Sequence, residues 1–282
     1  MATFYNQASL SYGGTITNSN LTEAELISSL TVTKTALNEN YSIGGTVVYA
    51  ISIRNGALTD VCTLSLTDDL GAYTFNSSTL YPLRYNEGSI RYYLNGEPTD
   101  PPTVTQTEPL EITNISVPGE SNLLIIYEAT ITEYAPRSEN STITNTLTAT
   151  GCCLSEPLIT TATIGINATP SLTIAKSVCP DAVVGCGEIT YTFVIQNSGN
   201  KTADASDEIV VCDQFNPKFE SISVTVDGQS GPEPVYSYDA QTGQFCTTPG
   251  ALIVPAATSV QTPDGSFTTT PGVTVIKVTG VI

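Results

Sequence analysis

The sequence predicts an all-β protein, with two tandem immunoglobulin-like antiparallel β-sandwich domains plus an N-terminal donor β-hairpin. Three observations carry this. Short runs rich in Thr, Val, Ile and Tyr alternate apolar with polar residues, and Gly and Pro break them at short intervals. The same run of strands occurs twice along the chain. The 282 residues are enough for two domains that each bury a core.

Residues 3–26, TFYNQASLSYGGTITNSNLTEAEL, are two alternating runs joined by Gly13-Gly14, a pair able to take φ > 0 in a tight hairpin turn. A lone hairpin is marginal in water, so it has to add itself to another sheet. The polar stretch 22–29 reads as a connection with room for one helical turn. In the first body, 31–36 alternates as a strand, Gly44-Gly45 marks a turn and 46–55, TVVYAISIRN, is a strong strand. Residues 62–67 form another, ending at Asp68-Asp69. Residues 89–94 with the Asn95-Gly96 turn signal a further hairpin. The Pro-rich stretch 98–109 reads as a loop or edge connection. Strands over 110–117 and 123–132 follow, and a second hairpin over 143–166 closes the set.

The second body repeats the first. Lys34 to Tyr49 and Lys176 to Tyr191 are both fifteen residues apart, and Lys34 to Asn55 and Lys176 to Asn197 are both twenty-one. VVYAISIRNGA therefore aligns with ITYTFVIQNSG without a gap. Leu66-Thr67-Asp68 matches Val211-Cys212-Asp213, with three extra residues in the loop before it. LIIYEATI, 124–131, corresponds to TVIKVTGVI, 274–282. The first body continues into its hairpin, whereas the sequence stops at Ile282. The expected organisation is a donor hairpin over 1–28, a domain over 29–168 with its own closing hairpin, and a domain over 169–282 without one.

This pattern, a Thr-x-x-Lys strand, a Tyr-Thr-x-x-Ile-x-Asn strand, an x-Asp strand end and an Asn-bearing closing strand, resembles the bacterial repeat family called domain of unknown function 11. The resemblance covers nearly the whole chain. It implies immunoglobulin-like sandwiches of surface and appendage proteins. A cysteine-bearing two-domain chain of this size looks like the subunits of clostridial spore appendages, which are assembled in the mother cell and released by its lysis. That fits the start MATFYNQAS, which has neither the basic head nor the apolar core of a Sec signal peptide.

Charge and composition narrow the partners. A net charge of −18 with nine basic residues disfavours nucleic acid and anionic membranes. No run of about eighteen apolar residues is present, so no membrane insertion is expected. Charged residues are only 13% of the chain, and a neutral Ser/Thr/Asn surface suits packing against copies of itself or against other appendage or surface proteins. An ordinary acidic β-protein has the same composition. Without histidine, a nucleophile elbow or a Gly-rich phosphate loop, neither an enzyme nor a cofactor is expected.

Seven cysteines, Cys62, Cys152, Cys153, Cys179, Cys186, Cys212 and Cys246, leave at least one unpaired within a chain. No C-x-x-C pair exists, so no metal site is expected. The cysteines are disulfide candidates, between subunits above all at Cys152-Cys153; the alternative is a set of reduced, inert thiols.

Two of the five lysines fall at one repeated position. Lys34, Asp68 and Asn145 are brought to one place by the sandwich, and Lys176 and Asp213 recur. Asn6 holds in the N-terminal hairpin the place of Asn145. A buried Lys, acid and Asn can form an isopeptide bond, because burial favours the neutral amine and the protonated acid. The acid polarises the amide, the amine attacks and ammonia leaves. Bacterial pilin and adhesin sandwiches, which the family resembles, carry such bonds. The alternative is two strand lysines reaching solvent. Two functions follow. One is a subunit joined head-to-tail by donated hairpins, with Lys34–Asn145 linked within a chain and Lys176–Asn6 between chains. The other is a monomeric surface-binding or adhesion module, whose hairpin closes its own second domain and whose loops, such as 97–108, hold a ligand.

Overall fold

The computed structural model describes residues 2–26, 30–151, 154–182, 184–185, 187–230 and 235–282. The chain divides into two units, 1–135 with 143–164, and 136–142 with 165–282. Among the described residues there is no α-helix, only a short 3-10 turn at Ala205–Asp207.

The first unit opens with the hairpin. Strands β1 (Ala2–Asn6) and β2 (Ser9–Tyr12) run out, and β3 (Thr15–Asn18) and β4 (Thr22–Leu26) return. Tyr12 pairs with Thr15 across Gly13 and Gly14, whose φ of +54° and +83° suit a two-residue turn. Residues 22–26 are thus strand, not the helical turn expected for 22–29. Pairing with β1 satisfies their backbone, which a single polar turn would leave to water. Residues 27–29 lie outside the described residues.

Two sheets form the body of this unit. The first orders β13 (Glu97–Thr99), β12 (Arg91–Leu94), β16 (Ser121–Ile131), β7 (Thr46–Asn55) and β5 (Leu30–Ala36), with β11 (Leu83–Tyr85) also on β16. The second orders β14 (Thr103–Thr107), β15 (Leu110–Val117), β8 (Val61–Asp68), β17 (Thr142–Thr150), β18 (Leu158–Ile166) and β6 (Asn40–Tyr41). A small hairpin, β9 (Tyr73–Phe75) and β10 (Ser78–Leu80), lies off both. Alternation sends Val47, Tyr49, Ile51 and Ile53 of β7 inward, and Ile125 beside them and Leu64, Leu66 and Ile112 of the second sheet are buried as well. The Pro-rich stretch 98–109 contributes two strands where a loop was one expectation. Both β13 and β14 end their sheets, and an edge tolerates proline because its outer donors need no partner.

The second unit repeats the first sheet strand for strand: β23 (Gln229–Ser230), β22 (Ile222–Val226), β28 (Gly272–Val281), β20 (Glu188–Asn197) and β19 (Leu172–Cys179). Its second sheet has β24 (Tyr236–Asp239), β25 (Gln244–Thr247) and β21 (Cys212–Gln214). These three correspond to β14, β15 and β8. Among the described residues nothing continues past β21 as β17 and β18 continue past β8. A separate hairpin joins β26 (Thr258–Gln261) to β27 (Phe267–Thr270). Phe193, Phe215, Phe219, Phe245 and Ile276 fill the core.

The repeated asparagines at the ends of β7 and β20 are structural. Asn55 donates to the carbonyls of Thr59, Val117 and Pro118 and accepts from the Ala57 N–H. Asn197 donates to Lys201 and accepts from Ser171 and Gly199. Each ties a strand end to the loops beside it.

Candidate functional site

Strand β5 lies at the edge of its sheet with Lys34 opposite Ile51, so the lysine points inward. Its ammonium donates to Asp68 Oδ2 at 2.7 Å and sits 4.9 Å from the centre of the Tyr49 ring. Asp68 closes β8 and also accepts from the Leu70 N–H at 3.1 Å. The Tyr127 hydroxyl donates to the same Oδ2 at 2.6 Å, and Asn145 Nδ2 donates to that hydroxyl at 3.1 Å. The side chains of Lys34 and Asp68 are 0% and 1% exposed, and Asn145 is fully buried. Asn145 Oδ1 is buried with no hydrogen-bond partner.

Burial here weakens the charged form of the amine. Burial pushes the Lys34 ammonium down from its usual range, against the opposing pull of Asp68. Burial raises the Tyr49 and Tyr127 hydroxyls, so both stay protonated. Chemically this is an amine paired with a carboxyl group, next to an amide whose carbonyl oxygen lacks a donor.

In the second unit Lys176 takes the same register, opposite Phe193, and its ammonium pairs with Asp213. It lies 4.3 Å from the Tyr191 ring centre and 5.6 Å from those of Phe193 and Phe215. The environment differs. The lysine side chain is 41% exposed, that of Asp213 is 20% exposed, and every residue of β19 is exposed. In the first unit β17 brings Asn145 and pairs Leu147 with Asp68, while Thr160 of β18 accepts from the Lys34 backbone N–H.

Asn6 stands on β1, opposite Thr22. The hairpin strands pair only with each other among the described residues, and all described side chains over 4–24, Phe4, Leu10, Tyr12 and Ile16 included, are exposed.

Tyr127 and Tyr49 are parts of the site that sequence reasoning missed. The signal was present: in LIIYEATI and VVYAISI each tyrosine is in phase with the inward residues. A phenol on that phase is carried into the core, where the Tyr127 hydroxyl meets Asp68 and Asn145 and the Tyr49 ring lies beside the Lys34 ammonium.

Of the cysteines, Cys212 and Cys246 face each other on β21 and β25 and form a disulfide within the chain. Cys179 is an exposed free thiol. Cys152, Cys153 and Cys186 lie outside the described residues, as does the side chain of Cys62. Among the described residues no group of His, Cys, Asp or Glu is arranged to hold a metal.

No protein-family model matches the chain, and no curated protein matches it. Among solved structures it is similar to BcpA, the major pilin subunit of Bacillus cereus, at 13% identity and a TM-score of 0.36, over 87% of this chain and 66% of that one. It is similar to the pilus backbone protein RrgB of Streptococcus pneumoniae, at 12% identity and a TM-score of 0.32, over 90% of this chain and half of that one. The collagen-binding subdomain of the Enterococcus faecalis surface protein ACE matches half of this chain and 99% of its own, at 11% identity and a TM-score of 0.33. Likenesses this distant carry no argument about function, which has to come from the chain's own residues.

Proposed function

We propose that the protein is a structural subunit that joins head-to-tail into an extracellular or spore-surface fibre. The hairpin β1–β4 of one copy takes, on the second unit of the next, the place that β17 and β18 take in the first unit. One observation carries this: two matching Lys–Asp pairs differ in cover by the width of one hairpin. A hairpin with exposed apolar side chains is present to supply that cover. Strand addition at the open side of β21 would satisfy its backbone, and each large apolar side chain it buries contributes about 1.5–3 kcal/mol. Such a contact is heterologous and propagates.

Covalent locking belongs to the same reading. A proton passes from Lys34 to Asp68, the free amine attacks Cγ of Asn145, and the Cγ–Nδ2 bond breaks. One amide forms and one ammonia leaves: the carboxyl proton moves through the Tyr127 hydroxyl to the departing nitrogen, and the proton that the attacking nitrogen sheds as it becomes the amide returns to Asp68. Asn6, seated by the donated hairpin, would meet Lys176 and Asp213; Val278 holds the place of Tyr127 there, so the proton would pass from Asp213 directly. The protein's own copies are the partners, and no cofactor takes part.

The test is a boiled, fully reduced denaturing gel with intact mass on each band. A ladder that survives reduction and disappears with Asn6→Ala or Lys176→Ala supports covalent head-to-tail assembly. Monomer by light scattering with the hairpin present would sink the fibre. The monomeric adhesion module, its hairpin folded onto its own second unit, would then take its place.

A further inference from the structure

The second unit carries a cavity of about 450 Å³, with Val178, Pro180, Ile189, Tyr191, Pro217 and Ile282 in its wall. Its position is informative. Lys176 lies opposite Phe193, and one pleat further along, on the same face, Val178 lies opposite Tyr191. The cavity thus begins beside the lysine, on the side where cover is missing.

The geometry points to this cavity as the seat of Phe4 from a second copy, an aromatic socket that sets the register of the donated hairpin. The inference rests on the head-to-tail reading and adds the side chain that aligns it. In the first unit Asn145 is preceded, one pleat back, by Ile143, which is 2% exposed. Ile143 packs so closely over Gly71 that a Cβ there would lie 2.6 Å from its methyl group. Gly71 is three residues beyond Asp68, and three residues beyond Asp213 is Asn216, followed by Pro217 in the cavity wall.

Asn6 and Phe4 are likewise one pleat apart on β1, so a strand that sets Asn6 beside Lys176 sets Phe4 about 7 Å away, on the same face and over the cavity. Phe4 is larger than the Ile143 it mirrors, and the second unit offers the open volume to match. The side chain is 56% exposed in the free hairpin, so it has apolar surface to bury. A slip of one residue would turn Phe4 to solvent and Asn6 away from the lysine. The socket and the lysine therefore read the same register.

The experiment follows assembly of the full chain by light scattering at a fixed time over a range of concentrations. It compares the native chain with Phe4→Ala, with Val178→Phe, which fills the socket, and with a chain lacking 1–28. Phe4 and Val178 are both exposed, so neither change opens a core. The expected result is that Phe4→Ala and Val178→Phe each raise the concentration for half-maximal assembly about ten- to hundredfold, the worth of one buried phenyl group. If both variants assemble like the native chain while the truncated chain stays monomeric, the socket is wrong and strand donation stands. If native and truncated chains are equally monomeric, strand donation falls and the socket with it.

Discussion

Lys34 and Lys176 occupy one register in two matching sheets, opposite Ile51 and Phe193, yet their side chains are 0% and 41% exposed. Each is paired with the aspartate that follows the matching stretch, Asp68 or Asp213. The difference therefore comes from what lies over the pair. Over Lys34 lie the closing strands β17 and β18; over Lys176 the described second sheet ends at β21.

The two aspartates should respond very differently to removal. Asp68→Ala leaves a buried lysine without its partner and is expected to cost about 3–5 kcal/mol. Asp213→Ala breaks a solvent-screened pair and is expected to cost under about 1 kcal/mol. Urea midpoints of the two variants measure the contrast, and equal losses would contradict the burial difference.

The internal bond has a mass signature. The native chain is expected to weigh one ammonia less than its sequence, and Lys34→Ala, Asn145→Ala and Asp68→Ala to show no such deficit. Tyr127→Phe keeps the ring and removes the hydroxyl that bridges Asp68 to Asn145. It should slow the appearance of the deficit and lower stability by about 1–3 kcal/mol, since it leaves a buried acceptor short of a donor. A full deficit appearing at the native rate in Tyr127→Phe would remove the tyrosine from the proton path.

Alkaline stability should follow the buried phenols. Tyr49 and Tyr127 are raised by burial above their ordinary value of 10.0. Their contribution is fully present below pH 10 and is lost as pH rises through their folded values, because the unfolded chain gives up these protons first. Where the bond to Asn145 has not formed, Lys34, lowered from 10.5, works in the opposite sense as pH approaches that value; once bonded it no longer titrates. The urea midpoint should fall as pH passes 10, with tyrosinate absorbance from this pair appearing together with unfolding. Absorbance that precedes unfolding would show that these phenols are accessible.

The repeat was legible in the sequence because spacing survives where composition drifts. The fifteen-residue step from Lys34 to Tyr49 recurs at Lys176 to Tyr191, and β7 and β15 begin and end at the residues the alternation marks. Other features lie outside any such pattern. Strand β4 was obscured because Glu23 and Glu25 put charge on alternate positions, which reads as a polar connection until a partner strand is known. The prolines of 98–109 concealed β13 and β14 because edge status is a property of the sheet. Tyr127 was read as a strand former, since the site that employs its hydroxyl draws on β5, β8, β16 and β17 together. The pairing of Cys212 with Cys246 depends on β25, whose sequence offers no repeat signal. The position of Asn6 against Lys176 involves two copies and remains a proposal.

That disulfide yields the last prediction. Cys212 and Cys246 are 34 residues apart, a span whose closure is worth about 2–4 kcal/mol through the unfolded chain. Strand β21 is three residues long and pairs only with β25 among the described residues, so the crosslink holds it where few hydrogen bonds do. Asp213 is the next residue, and its place beside Lys176 depends on β21 staying paired. Reduction, or Cys212→Ser with Cys246→Ser, is expected to lower the unfolding temperature of the second unit and leave the transition of the first unchanged. It should also slow head-to-tail assembly, since the acceptor edge frays before a hairpin arrives. Hydrogen exchange separates the two effects: faster exchange at 212–214 with the first unit's strands unchanged is the expected pattern. Uniform loosening of both units would show that the bond stabilises something larger than this edge.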